Sequence, residues 1–145
     1  MKRKAPSENT SVEHGKWGED TAARFLSSAG YEIIDRNVRP HPKDRRLEID
    51  IVAFDPKRDV VVFVEVKQHA ARNPRASRMQ SVDKGKLERL RRACRVWIAR
   101  NKWRAGYRFD VVEIYGVPHA GKPEFDHIER VRLFKSREEF VNWDS

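Results

Sequence analysis

Two apolar runs rich in β-branched residues constrain the fold of this chain more than any other feature. They are Ile49–Phe54 and Val60–Val66, and the polar segment Asp55–Asp59 lies between them. This composition is typical of a β-hairpin whose loop is longer than two residues. The second run is apolar at consecutive positions, which indicates a strand covered on both faces. The sequence therefore predicts a hairpin at the centre of a sheet.

Four charged side chains lie within or beside this hairpin, namely Glu48, Asp50, Glu65 and Lys67. Strand side chains alternate between faces, so Glu48 and Asp50 share one face, as do Glu65 and Lys67. If the loop comprises residues 56–59, the register places Asp50 opposite Glu65 and Glu48 opposite Lys67. Three carboxylates and one ammonium group are then predicted to meet in a single patch.

A divalent cation would explain two opposed carboxylates in a buried strand. A buried carboxylate is costly unless it is paired or holds a metal. Mg²⁺ prefers oxygen ligands and commonly binds carboxylates, waters and substrate phosphates, while Lys67 adds a charge suited to a phosphate or an attacking hydroxide. The alternative is ordinary acid–lysine pairs on a solvated sheet face. The continuous valine run favours the metal site over this alternative.

The chain is strongly basic. It has 145 residues, with 31 Lys+Arg against 22 Asp+Glu, a net charge of +9 and a pI near 10.0. Its length suits one domain. The charge indicates a polyanionic partner, foremost a nucleic acid, and the alternative is a basic surface that is merely solvated.

Targeting signals are not apparent in the sequence. No apolar run approaches the roughly 18 residues that a membrane-spanning helix needs, so no membrane partner is expected. The basic residues 2–4 are not followed by an apolar segment, which argues against a secretory signal. The single cysteine, Cys94, excludes an internal disulfide and fits a cytoplasmic location.

Periodicity and turn residues predict an alternating order of helices and strands behind a flexible tail at residues 1–9, all within one domain at 10–145 whose core is 10–115. The predicted elements are a helix at 10–29, a strand at 31–39, the hairpin, a helix at 83–101, a strand at 107–115, an edge strand at 125–134 and a terminal helix at 136–143. This order, αβββαβ with a short C-terminal β/α appendix, predicts an α/β fold with a mixed central β-sheet flanked by helices.

The central motifs resemble a known nuclease signature. Glu48-Ile49-Asp50 followed by Glu65-Val66-Lys67 is similar to the PD-(D/E)XK pattern. A wider series over roughly residues 15 to 115 resembles the YraN family, whose members are related to archaeal Holliday-junction resolvases. That series also includes Gly15-x-x-Gly18-Glu19, Gly30-Tyr31, Arg36-Asn37-x-Arg39, Val82-Asp83 with Lys86, and Arg108-Phe109-Asp110-Val111-Val112.

The resemblance implies a restriction-endonuclease-like core and a metal-dependent endonuclease acting on DNA, in particular structured or branched DNA. It implies Mg²⁺ or Mn²⁺ held by Asp50, Glu65 and the backbone carbonyl of Val66, with Lys67 orienting or activating the nucleophile. Glu48 and Glu19 would orient these ligands or recruit a second ion. A helical carboxylate such as Glu19 can also serve only as a dipole or salt-bridge partner. DNA is favoured over RNA, and the resolvase-like relatives suggest a homodimer.

Seven residues are predicted to contact nucleic acid. Arg45 and Arg46 lie in a basic loop that leads into Glu48, and a solvated connector is the alternative. A basic stretch at 68–79 is predicted as a loop that becomes ordered over a nucleic-acid backbone, unless it is an ordinary surface loop. The seven residues are Arg45, Arg46, Gln68, Arg72, Arg75, Arg78 and Lys86, the last assigned through the resemblance.

A binding module of the same fold is the alternative function. Leu47 stands where YraN relatives usually have glycine, and residues 68–69 stand where they commonly have Thr-Arg, which favours this alternative. Intact Asp50, Glu65 and Lys67 argue against it, because a scaffold does not need opposed carboxylates in a buried strand. A protein–protein adaptor would leave the net charge of +9 unexplained.

Overall fold

The computed structural model describes residues 6–72 and 84–133, with side chains from residue 13 onward. These residues form two helices and five strands: α1 Pro6–Ser28, β1 Glu32–Val38, β2 Ile49–Asp55, β3 Val60–His69, α2 Lys84–Arg100, β4 Gly106–Tyr115 and β5 Glu124–Ile128. Neither helix is long and apolar enough to cross a membrane. The predicted α/β class and the αβββαβ order are confirmed.

The strands form one mixed sheet in the order β1-β2-β3-β4-β5. All neighbours are antiparallel except β3 and β4, which are parallel because the chain crosses over through α2 between them. The hairpin pairs Asp55 with Val60, as the sequence predicted, and its pairing continues to Ile51 and Val64. This arrangement of a mixed sheet and two helices is consistent with a restriction-endonuclease-like core.

Each face of the sheet carries its own apolar core. Val61 and Phe63 pack on the α2 side, where the rings of Phe63 and Trp97 meet edge-on at 5.5 Å. Val62 and Val64 pack on the α1 side. Alternating valines therefore serve both cores, which explains why β3 is apolar at consecutive positions.

The alternation of faces is interrupted at Asp50. Ile49 belongs to the core on the α2 side, whereas Ile51 belongs to the core on the α1 side. In a regular strand these two side chains would share one face. The regular β2–β3 pairing also ends at Ile51 and Val64, so Asp50 and Glu65 lie just beyond the ladder. The irregularity places the two carboxylates at the open end of the hairpin.

Several predicted boundaries differ from the structure. Helix α1 begins at Pro6 rather than at residue 10 and includes residues 6–9 of the predicted tail; proline is favoured in a first helical turn. Gln68 and His69 were predicted in a loop, but they extend β3 because they pair with Ile114 and Tyr115 of β4.

At the C-terminal end, β5 stops at Ile128, short of the predicted end at 134. The remainder of the predicted loop, residues 73–79 with Arg75 and Arg78, lies outside the described residues, as does the predicted terminal helix at 136–143.

Candidate metal centre

Three carboxylates, one from α1 and two from around the start of β2, converge at the open end of the hairpin. Glu19 comes from α1, Glu48 lies just before β2, and Asp50 lies within β2. One carboxylate oxygen from each residue lies within 4.8 Å of the other two. Mg²⁺ and related hard cations take oxygen ligands, so this group has the composition of a divalent cation site.

Asp50 is anchored by the neighbouring strand. Its Oδ2 accepts a hydrogen bond of 2.8 Å from the backbone N–H of Val66. Burial, together with the negative charge of Glu65, raises the pKa of Asp50 to about 8. The protein itself therefore neutralises this carboxylate poorly, and a bound cation would relieve the repulsion.

Glu65 is buried and interacts with two lysines. Its Oε1 lies 2.6 Å from Lys86 Nζ and 3.5 Å from Lys67 Nζ. Burial and the neighbouring ammonium group of Lys86 lower the pKa of Lys67. Burial is the largest single effect on Lys86 and acts to lower its pKa. The hydrogen bonds to Glu65 and Lys67 and the negative charges of Glu65 and Asp50 together outweigh it, so the pKa is raised. Lys67 is thus the more easily deprotonated of the two amines.

Glu19 is positioned by Asn37, a residue to which the sequence analysis assigned no role. The Asn37 side chain hydrogen-bonds the Glu19 carboxylate, which lowers its pKa, but burial has the larger effect and the pKa of Glu19 is raised. The backbone of Asn37 has φ 51°, in the left-handed region that asparagine tolerates better than most residues. Local sequence pattern carries no signal for this contact, because Glu19 lies on another element.

The carboxylates line an open cleft formed by two adjoining cavities, of about 430 and 240 Å³, that share Asp50, Glu65 and Lys86. The larger cavity also borders Gly18 of α1. Besides Lys86, the basic residues Arg46 and Arg89 border the smaller cavity. The cleft therefore combines buried or half-buried carboxylates with exposed guanidinium groups.

The predicted nucleic-acid contacts fall into different environments. Arg46 is exposed and forms an ion pair with Asp44 at 3.0 Å beside the cleft, and Arg45 is also exposed. The Gln68 amide borders the cleft but donates its hydrogen bond, at 2.5 Å, to the carbonyl of Gly116. Lys86 lies inside the cleft rather than on the solvated face of α2.

Arg72 is not arranged as a phosphate contact in this structure. Its guanidinium forms ion pairs with Glu124 at 2.6 Å and Asp126 at 3.0 Å, and it lies 4.3 Å above the ring of Tyr115. These contacts hold Arg72 against β5. The acidic partners lie far along the sequence, so local pattern could not reveal them.

A second acidic group has a structural explanation. Asp110 lies close to His127 and Glu129, but Arg108 already donates to Asp110 at 3.0 Å and to Asp55 at 3.1 Å. Arg108 and Asp110 are both almost completely buried. This group is therefore a buried ion-pair network that joins β2, β4 and β5, in which the Arg108 guanidinium supplies positive charge to the carboxylates.

Comparison with known proteins identifies the family. Residues 18–114 match the profile of a family described as "Uncharacterised protein family UPF0102". A UPF0102 protein of Streptomyces griseus is 41% identical over 120 residues, covering 81% of this chain and 93% of that protein. A UPF0102 protein of Rhodococcus opacus is 37% identical over 116 residues, covering 79% and 91%. The resemblance seen in the sequence is confirmed, and the chain belongs to the UPF0102, or YraN, family.

Proposed function

We propose that this protein is a divalent-metal-dependent endonuclease that hydrolyses phosphodiester bonds in DNA. The observation that carries the proposal is the convergence of Glu19, Glu48 and Asp50, whose oxygens lie within 4.8 Å of one another. Glu65 lies beside Asp50, and its carboxylate contacts the amines of Lys86 at 2.6 Å and Lys67 at 3.5 Å. Together these residues offer a cation site and an amine within one cleft.

The residues present fit Mg²⁺ or Mn²⁺. All the side-chain donors are carboxylate oxygens, and the pKa of Asp50 is raised by burial and by the negative charge of Glu65, an effect that a bound cation would oppose. Asp50 and Glu65 would hold the ion with the backbone carbonyl of Val66, and Glu19 and Glu48 would complete or orient the site. When bound, the ion supplies positive charge that stabilises the charge developing on the phosphate.

We assign Lys67 to the nucleophile because it is the more easily deprotonated of the two amines that contact Glu65. Its amine lies beside Glu65, and its lowered pKa increases the fraction that is neutral and able to accept a proton. In hydrolysis the oxygen of a water molecule forms a new bond to phosphorus while an ester P–O bond breaks. Lys67 would hold the water in place and take up its proton, and the leaving oxygen would be protonated from solvent.

The cations around the cleft would bind the DNA backbone. Arg46, Lys86 and Arg89 border the smaller cavity, and the chain carries a net charge of +9. Phosphate contacts of this kind position a nucleic acid without reading its sequence. Branched or otherwise structured DNA is the substrate class that the resemblance to Holliday-junction resolvases suggests, and cutting two strands would call for a homodimer.

A nucleic-acid-binding module without catalysis is the second candidate. The observation that favours it is the 2.6 Å ion pair between Lys86 and Glu65, which neutralises Glu65 without a metal. In such a module the cleft would only hold phosphates. The two candidates differ in whether the DNA is cut when metal is supplied.

The test is incubation of the purified protein with labelled single-stranded, duplex, flapped and four-way DNA, with Mn²⁺ or Mg²⁺ or with chelator. Asp50→Ala and Lys67→Ala should each abolish cleavage, because one removes a metal ligand and the other removes the base. Glu32→Gln is the matched control, since Glu32 is exposed at the far end of β1.

Metal-dependent cleavage by the parent and the control, with none by the two alanine variants, would establish the nuclease. DNA that is bound by all four proteins and cut by none would favour the binding module instead.

A further inference from the structure

A separate cavity of about 420 Å³ lies on the α1 side of the sheet, between α1 and the segment that leads into β5. Trp17 and Phe25 line it from the helix, and Pro123 and Phe125 line it from the opposite wall. This volume lies within the range of small-molecule binding sites, which is about 300–1,000 Å³. The cavity is therefore large enough for a ligand with aromatic character.

The aromatic side chains of this cavity are only partly covered. The rings of Phe25 and Phe125 are stacked, with centroids 4.4 Å apart and planes inclined by 10°. Trp17, Phe25 and Phe125 are all half-buried, so each keeps ring surface open to solvent. Such rings are suitable stacking partners for a planar heterocycle, and a nucleobase stacks on aromatic side chains whatever its sequence.

The charged side chains that line this cavity are basic. Arg24 and Lys122 are exposed at its rim, and none of the described residues that line it is acidic. The Thr21 hydroxyl lies 3.4 Å from the Arg24 guanidinium at the same wall. A ligand that combines an aromatic ring with a negative charge matches this surface, whereas an apolar peptide would leave the cations without a role.

This aromatic cavity adjoins the cleft that contains Glu19, Glu48 and Asp50, which we call the metal cleft. Trp17 lines the cavity and its neighbour Gly18 borders the cleft. The Gln68 amide in the cleft donates to the carbonyl of Gly116, and a β-carbon on Gly116 would lie 3.5 Å from the Trp17 ring. The two sites thus meet where β3 and β4 end, one on each side of α1.

We propose that the aromatic cavity binds an unpaired nucleobase of the DNA strand whose phosphates enter the metal cleft. This inference rests on the proposed function and specifies its substrate class, which is DNA with a flap, a gap or a frayed end. Base stacking on the rings would hold the unpaired strand, and Arg24 and Lys122 would hold its phosphates. A fully paired duplex cannot offer such a base without first unstacking it.

The first test maps the contact. A flapped DNA that carries 5-iodo-2′-deoxyuridine at single positions in the flap is irradiated with the Asp50→Asn protein in chelator, so that no strand is cut. The expected result is cross-linking to Trp17, Phe25 or Phe125. Cross-links confined to α2 or to the hairpin loop would overturn the proposal.

The second test measures affinity for flapped and fully paired DNA in the same background, again in chelator. Phe125→Leu should weaken flap binding about tenfold or more, in keeping with the free energy of base–aromatic stacking. Lys122→Glu should also weaken flap binding, because it replaces a cation that holds the flap phosphates with an anion. Neither substitution should change duplex binding. Lys57→Glu, in the exposed hairpin loop, is the charge-matched control. Lys122 is exposed, so its variant keeps the test valid if Phe125→Leu is misfolded.

An equal loss for flapped and paired DNA, or an equal loss in the Lys57→Glu control, would overturn the proposal. Because these measurements use no metal, their outcome is separate from that of the cleavage assay. Cleavage without any preference for unpaired strands would refute the base site alone. A preference for flapped DNA in a protein that never cuts would refute the nuclease and leave the base site standing.

Discussion

At the scale of single residues, Asp50 is the group on which the account depends most. Its pKa is raised from 3.8 to about 8 by burial and by the charge of Glu65. Between these two values the folded protein binds more protons than the unfolded chain, so stability falls as the pH rises through this window. A carboxylate retained in such a position costs stability that a solvated one would not.

The first prediction concerns this cost. In chelator, Asp50→Asn should be more stable than the parent at pH 8 by about 2 kcal/mol or more, and the difference should shrink toward pH 5. The Asn side-chain oxygen can still accept the Val66 N–H, so the local geometry is kept. Thermal unfolding between pH 5 and 8.5 measures the difference in stability between this variant and the parent.

The exposed Glu32→Gln variant should track the parent across this pH range. A variant at Asp50 that is less stable than the parent at pH 8, or that retains the full pH dependence, would contradict the raised pKa.

The residues of the site could be predicted from the sequence to differing degrees. Asp50, Glu65 and Lys67 follow from strand alternation and the hairpin loop, since both are local features. Asn37 could not be found this way, because its partner Glu19 lies on α1 and contacts between elements leave no periodic signal. The same holds for Arg39, whose guanidinium lies 3.8 Å from the Glu48 carboxylate. The partners of Arg72 escaped prediction for the same reason.

At the scale of elements, the position of α1 over the sheet depends on a glycine. A β-carbon on Gly18 would lie 3.2 Å from Cβ of Gln68 in β3, whereas one on Gly15 would meet none of the described residues within 4 Å. Gly18 therefore allows α1 to approach β3 closely, and this approach sets the position of Glu19. The two glycines form a matched pair on one helix.

The second prediction uses this pair. Gly15→Ala should stabilise the protein by about 0.5–1 kcal/mol, because alanine is the better helix former. Gly18→Ala should gain less or be destabilising, since the new methyl group pushes against Gln68. Urea denaturation compares the two. Equal stabilisation by both substitutions would show that α1 and β3 are not in close contact there.

Arg108 links three strands on the side of the molecule away from the metal cleft. Its guanidinium donates to Asp110 of β4 and Asp55 of β2, and His127 of β5 lies 2.7 Å from Asp110. The sequence showed only an alternating strand with polar positions at 108 and 110. Three strands must be assembled before these charges meet, so the network was not predictable from local pattern.

The third prediction is that Arg108→Met destabilises the protein by about 3–5 kcal/mol, because it removes the guanidinium that pairs with two buried carboxylates. Arg104→Met, at an exposed position, should change stability by no more than about 0.5 kcal/mol. Denaturant titration of both variants decides the matter. A loss of under about 1 kcal/mol for Arg108→Met would mean that solvent compensates the two acids.

At the scale of the whole molecule, the fold was more predictable than its contacts. The order of elements and the mixed sheet follow from hydrophobic periodicity, since each face of β3 needs a covering layer. The end of β3 was misplaced, because pairing with β4 extends the strand through residues 68–69, which show no strand pattern. The start of α1 was also misplaced, since the helix begins at Pro6. Long-range pairing is the information that periodicity lacks.

The fourth prediction follows from the net charge of +9. DNA binding by Asp50→Asn in chelator should weaken steeply with salt, by about 100-fold between 50 and 200 mM for some four phosphate contacts. Fluorescence anisotropy at several salt concentrations gives the slope. DNA binding that is insensitive to salt would contradict this prediction. Salt-insensitive binding to another protein would instead point to a protein–protein adaptor.

We propose above all that the carboxylates at the open end of the hairpin hold a divalent cation, and Mn²⁺ titration followed by electron paramagnetic resonance measures this binding. We expect saturable Mn²⁺ binding by the parent, retained in Glu32→Gln and weakened at least tenfold in Asp50→Asn. Binding that is absent from the parent, or unchanged when Asp50 is replaced, would contradict the metal site.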